Sequence, residues 1–451
     1  MRLLPRPGIR LDEGHAFGKR PIDAGRHGQV PIIKRVATYV AITYINAMPI
    51  ATDGSVHNHE GRLLYCSADR FVAHVGEGDH CFICDRTERE IAFNGEHVLP
   101  NWLLHQFGLH GQSVTLPNRV LHGYSTYRIP CCIDCNTRLS QHFETPISDA
   151  FASGFAGIQA LVEREGPQRL FHWMALIFLK MHLKDRRLYK HLDRREGDSR
   201  ISETYDWAAF HHIHCIVRAH YSGAAIGDYV LGSVLMIQVD PDAGDEPFDL
   251  ASVTDGFTLY LRAGDVALYA VFNDAQACVG AVEPVLDGIT GMLNPLQARE
   301  LAAELAAANM HLGNRPTFQT LMSDEDGADL QIAARVPVEG PVFADKDHDL
   351  VGFVKHFLLQ HATGNVEGDS REERRNLLRQ NKLSFLFDND GRFISDGRVP
   401  SSDAGSLVAN TTRFGKQGAV GSKALRLVPE TDMDRSGAGA GLNGRAPESG
   451  A

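Results

Sequence analysis

The sequence has no apolar run long enough to cross a bilayer. The longest near its start, "VATYVAITYINAMPIA" at 36–51, falls short of the ~20 residues that a spanning helix needs. It also lies behind a polar leader too long for a secretory signal, so the chain reads as cytoplasmic, with no membrane partner. An excess of positive charge is lacking too. Against 45 Lys and Arg stand 56 Asp and Glu, a formal net charge of −11. That balance excludes wholesale coating of nucleic acid, because sequence-independent binding needs cations to displace counterions from phosphates. Any such contact must be local, and two stretches are locally basic: residues 1–35 and "LKMHLKDRRLYKHLDRR" at 179–195. Beyond residue 150 there is no glycine-rich phosphate loop, nucleophile elbow or paired-carboxylate motif, so an independent enzyme in that region has no sequence support. No repeat of solenoid length occurs.

What is present is an ordinary globular balance, 43% hydrophobic and 22% charged, over 451 residues, enough for two or three domains. The pattern predicts an α+β chain. Residues 1–60 read as a loosely ordered leader, and a start at Met48 would leave every motif intact. A domain is expected at 61–150, opening on a strand-like lead-in at 62–75. An α+β domain of unassigned role is expected at 151–365. Its helices fall at 168–192, 205–220, 294–313 and 348–362. An antiparallel sheet is expected from "YVLGSVLMIQVD", "FTLYLRAG", "VALYAVFN" and "ACVGAVEPV". Asn294, Pro295 and Gly313 punctuate the third helix as cap, first turn and stop. From 366 to 451 the drift to Gly, Ser, Arg and Asn predicts a largely disordered tail.

Five of the eight cysteines fall in two knuckles, "CFIC" at 81–84 and "CCIDC" at 131–135. In a reducing compartment, clustering of this kind favours metal over disulfides. A Cys-x-x-Cys turn brings two thiolates to one tetrahedral ion, and two such turns complete the four ligands of a structural zinc: Cys81, Cys84, Cys132 and Cys135. Cys131 could replace Cys132 only with a longer spacer. The segment between the knuckles is longer than a zinc ribbon requires, and it carries Glu96 and His97. Glu96 supplies a hard oxygen for Mg2+ or Mn2+, and His97 an imidazole able to deprotonate water near neutral pH. Phosphodiester hydrolysis needs both, facing one point. Asn136 follows the second knuckle and offers a further oxygen.

The order Cys81 to Cys84, Glu96-His97 through Trp102-Leu103, Cys132 to Asn136 and then Glu144 resembles the zinc-bound type of HNH endonuclease. The resemblance covers residues 78–150. It implies a ββα-metal unit with His97 as general base and a catalytic divalent metal on Glu96 and Asn136. The middle Asn of that family, which orients the base-bearing loop, has no clear match; Asn118 is the nearest. The implied activity is metal-dependent hydrolysis of nucleic acid, DNA being the first expectation. The alternative is a non-catalytic, zinc-dependent module binding nucleic acid or protein. His142, Trp102, Trp173 and the "FHHIHC" run at 210–215 read as surface or core residues, and "FDNDGRF" at 387–393 as a turn.

Overall fold

Short strands and helices come first, then buried helices, a large sheet and its covering helices, an order that suits a mixed α/β chain of the α+β kind. The computed structural model describes residues 50–191, 193–243, 246–322, 329–345, 347–359, 371–395 and 425–427. The chain divides between Ala47 and Met48, and all of these residues belong to the unit that begins at Met48. Most of the expected 1–60 leader therefore lies outside the described residues.

In chain order the strands are β1 (Val56–His57), β2 (Leu63–Tyr65), β3 (Phe93–His97), β4 (Ser113–Thr115), β5 (Leu121–Gly123), β6 (Arg128–Cys132), β7 (Ala225–Ile226), β8 (Val234–Gln238), β9 (Phe248–Val253), β10 (Thr258–Ala263), β11 (Val266–Val271), β12 (Thr317–Met322), β13 (Leu330–Arg335) and β14 (Leu425–Leu427). The helices are α1 (Asn101–Gln106), α2 (Ile133–Leu139), α3 (Thr145–Phe151), α4 (Gly154–Glu165), α5 (Gln168–Asp185), α6 (Trp207–Ser222), α7 (Ala277–Ala281), α8 (Glu283–Gly288), α9 (Pro295–His311), α10 (His348–Leu359) and α11 (Arg371–Arg379). A π-helical turn, Ser140–Glu144, carries α2 on into α3.

The large sheet runs β14-β8-β11-β10-β9, antiparallel except where β14 joins β8. Its inner strands are apolar at successive positions because both faces are covered. Val234, Met236, Leu259, Leu261 and Leu268 enter one core; Leu235, Ile237, Tyr260 and Tyr269 enter another, against α9. The first core is continuous from Leu63 to Ile332 and includes the cysteine knuckles, α5 and α6. The boundary expected at 150 is therefore not a structural one. Neither the knuckle region nor α5 could bury its apolar surface without the other.

Helix α5 shows why. It is apolar almost all round, with Trp173, Phe171, Phe178 and Ile177 fully buried, as a helix with no polar face must be. It stops at Asp185, short of the expected 192, where the charged run that follows could not be buried. Two further expectations are corrected. The 62–75 lead-in is a three-residue strand followed by a helical stretch, Ala68–Arg70 and Phe71–Gly76, which starts where the Ser67 side chain accepts from the Arg70 N–H. "ACVGAVEPV" forms α7 and α8 rather than a strand. Asp274 accepts from the Cys278 N–H at 2.8 Å, and Pro284 lies in the first turn of α8, so local capping overrides an apolar run.

Residues 371–395, which composition assigns to the tail, are folded. Leu378, Leu383, Phe385 and Leu386 join the second core. Gln297 of α9 donates to the carbonyls of Phe385 and Ile394 at 2.9 and 2.7 Å, and Glu300 accepts from the Leu386 N–H at 3.1 Å. Leu377, Phe387 and Phe393 pack against that core from the same polar stretch. The "FDNDGRF" turn closes with Asp388 N–H on the Arg392 carbonyl at 2.9 Å, as expected. The remainder of 366–451, β14 apart, lies outside the described residues.

At the end of α5 the Tyr205 hydroxyl donates to Asp185 at 2.7 Å. Burial pushes this carboxyl up to about 7. The folded chain thus keeps a proton that the unfolded chain releases near the ordinary value of 3.8. Its stabilising contribution is complete below that value and is lost as the pH rises through about 7. Asp185→Asn retains the acceptor and cannot ionise. Its denaturation midpoint should gain on the parent's progressively between pH 4 and pH 8; a constant offset would refute the assignment.

Candidate functional site

The first knuckle is a tight turn. Asp85 N–H donates to the Cys81 carbonyl at 2.9 Å, and Cys81 N–H to the Arg86 carbonyl at 2.8 Å. The second lies where β6 runs into α2. Cys132 caps that helix, its sulfur accepting from the Cys135 N–H at 3.4 Å. A thiolate is favoured at a helix N-terminus. The sulfurs of Cys81, Cys84, Cys132 and Cys135 all lie within 4.8 Å of one another, and all four residues are buried. Cys84 and Cys132 are 3.6 Å apart, close to the roughly 3.8 Å edge of a tetrahedron built on 2.3 Å metal–sulfur bonds. Arg86 donates to Cys84 at 3.4 Å, a cation beside a sulfur that must carry charge. The four residues can hold a metal such as zinc. Cys131, 3.9 Å from Cys81, projects from the other face of β6 and stays outside the set.

Helix α6 grips the same turn from behind. His214 donates through Nε2 to the Phe82 carbonyl at 2.7 Å, and Arg218 through Nε to the Ile83 carbonyl at 2.6 Å. These are the two residues between Cys81 and Cys84. Arg218 also reaches the Leu63 carbonyl at 2.9 Å. Both side chains are almost wholly buried, and burial holds His214 well below the usual imidazole range, hence neutral. The "FHHIHC" run is thus core, as expected, but two turns of α6 also shape the metal turn. No motif spacing signals this.

Strand β3 pairs antiparallel with β6 in the register Phe93 to Cys132, Asn94 to Cys131, Glu96 to Ile129 and His97 to Arg128. Because β3 is extended, Glu96 and His97 project from opposite faces rather than from one turn. This corrects the expectation that they face a single point from neighbouring positions. Glu96 shares its face with Asn94, whose side-chain oxygen accepts from Asn136 of α2 at 2.8 Å. Strand β3 and helix α2 therefore meet at Asn94 and Asn136. Half-buried His97 has a shielded Nε2 without a hydrogen-bond partner. Burial, with Arg128 nearby, lowers its pKa, which favours the neutral imidazole.

Sequence reasoning missed Lys180. Fully buried in α5, it donates to Glu96 Oε1 and to the His97 carbonyl, both at 2.7 Å, and lies 3.8 Å from Glu144. It ties down the strand that carries His97. Asn118 does not: it donates to the Tyr189 carbonyl and accepts from Val120, tying down the β4–β5 turn. A signal for Lys180 existed. It is the one formal cation inside the apolar run "LFHWMALIFLKMHL". Burial raises the Glu144 carboxyl, with Lys180 acting against it. His142 is exposed and stacks on His220 at 5.1 Å, in keeping with a surface role.

Two outcomes follow. Cys135→Ser should lose the bound ion by elemental analysis, and chelating the parent protein should lower stability by about 4 kcal/mol where free zinc had exceeded its Kd a thousandfold. Lys180→Met should cost about 3–5 kcal/mol in chemical denaturation, because it strands the buried Glu96 carboxylate; adding Glu96→Gln should restore much of that loss. An unchanged double variant would place the penalty in packing instead. Compared with known proteins, the chain matches no family model, no curated protein and no solved structure.

Proposed function

We propose that the protein is a metal-dependent endonuclease of HNH type. The supporting observation is the β3-β6-α2 unit: a strand pair running straight into a helix, closed by four cysteines, with Asn136 of the helix bonded to Asn94 on the face that carries Glu96. In this reading Mg2+ or Mn2+ is held by Glu96 and Asn136 and stabilises the charge developing on the phosphate. Lys180 takes Oε1 of Glu96, which leaves Oε2 for the ion. His97, neutral and with Nε2 free of protein partners, accepts the proton of the attacking water, a role that requires its ring to turn from the opposite face of β3 toward Glu96 and to open the shielded Nε2 to that water. Exposed Arg128, opposite His97 in the strand register, offers a cation to substrate phosphate in a chain that is acidic overall.

A second reading has an observation of its own. The Glu96–Lys180 pair already neutralises the carboxylate, as a non-catalytic zinc-dependent binding module would require.

The test is nicking of supercoiled plasmid with Mg2+ or Mn2+, with His97→Ala shown to keep its zinc and fold. A loss of at least about 100-fold in the variant is expected for a general base. Equal cleavage by both proteins would remove His97 from the role, and binding without cleavage by either would favour the second reading.

A further inference from the structure

The first knuckle carries another set of ligand-type side chains, immediately beside the cysteines. Asp85 follows Cys84 and holds a left-handed backbone, φ +66°, uncommon for a residue with a side chain. Its carboxylate meets two imidazoles on the preceding segment. Oδ1 lies 3.0 Å from Nδ1 of His74, and the rings of His74 and His80 are 4.1 Å apart, centre to centre. His74, His80 and Asp85 each offer a ligand atom within 4.8 Å of the other two.

The neighbours of this trio hold it in the manner of metal ligands. Arg70 forms an ion pair with Asp85, its Nε 2.9 Å from Oδ2, which supplies a counter-charge to the carboxylate. Nδ1 of His80 donates to the Asp85 carbonyl at 2.7 Å and lies 3.2 Å from Oδ1 of Asp85, so Nε2 is the nitrogen left to bind an ion. These are the outer contacts that ordinarily orient metal ligands: a hydrogen-bonded carboxylate and an imidazole whose second nitrogen is tied to a carbonyl. Nitrogen and oxygen ligands bonded at 2.0–2.1 Å to one ion stand about 2.9–3.4 Å apart, and the observed 3.0 Å falls in that range. His74 and His80 are 32% and 28% exposed, so water can complete the coordination.

We propose that His74, His80 and Asp85 form a second metal site, for a borderline divalent transition ion such as zinc, cobalt or nickel. Two imidazoles and one carboxylate suit these ions better than Mg2+ or Ca2+. His74 lies in the π-helical turn Phe71–Gly76, so the ion would staple that turn to the knuckle next to the cysteine-bound metal. The proposal does not depend on nuclease activity.

Full-length protein, stripped of metal under reducing conditions, would be titrated with Co2+, with stoichiometry followed by elemental analysis and absorbance. The cysteine site gives a thiolate-to-cobalt charge-transfer band. The expected result is a further ion per chain that adds no such band. It should weaken at least tenfold in both His74→Gln and His80→Gln and persist in Glu96→Gln. Arg70→Gln, which replaces no ligand but removes the ion pair to Asp85, should weaken it by about 10–100-fold. Parent protein holding only the thiolate-bound ion would overturn the proposal, whatever the variants do. So would a further ion that survives in His74→Gln and His80→Gln and is lost in Glu96→Gln.

Discussion

Three buried cationic or imidazole side chains, Lys180, His214 and Arg218, reach out of two apolar helices to hold backbone carbonyls at the metal turn and at the strand beside it. The rest of the site depends on this constraint. A buried carbonyl without a donor costs much of a hydrogen bond, and a buried charge without partners costs far more. The arrangement meets both demands at once. Charges placed deep in α5 and α6 are satisfied only if the knuckle and β3 sit where they do, and the irregular backbone there is satisfied only by those charges.

This interlocking explains why one hydrophobic core runs through what looks in one dimension like two domains. The knuckle region is built of short strands and turns, too small to bury much apolar surface alone. α5 and α6 supply the missing wall, α5 packing on β11 of the large sheet and α6 against β7 and β13. A metal on the four cysteines would clamp the front of the turn while α6 clamps its back. Substitutions in either helix should therefore be felt at the metal although they lie far away in sequence.

The chemistry available at β3 follows from strand geometry and burial together. Alternation separates Glu96 from His97 and puts Glu96 with Asn94 and Asn136, while Lys180 tethers both the carboxylate and the backbone of the imidazole-bearing residue. Under the nuclease reading the base must turn across the strand to meet a half-neutralised metal ligand. Under the binding-module reading it is a sealed ion pair. The same contacts serve either, which is why the discriminating quantity is chemical turnover rather than a further distance.

The sequence by itself determined the parts whose signal is local. Two Cys-x-x-Cys spacings identified four cysteines that do converge, because a tight turn fixes two sulfurs relative to each other wherever it lies. Asn294 and Pro295 marked the start of α9, and apolar periodicity located β8, β10 and β11 of the large sheet and the buried α5, but not β9 or β14. Tertiary structure alone decided the rest. Lys180 could be seen as an oddity in an apolar run, but its partners Glu96 and His97 lie some eighty residues away. The donors His214 and Arg218 meet carbonyls, which carry no sequence signature. Leu378, Phe385 and Leu386 order a stretch that composition assigns to a tail, because a few apolar residues bury well only where a preformed groove receives them. Asp85 was visible only as the residue after a cysteine, and its meeting with His74 and His80 belongs to the folded knuckle, where it holds φ +66°.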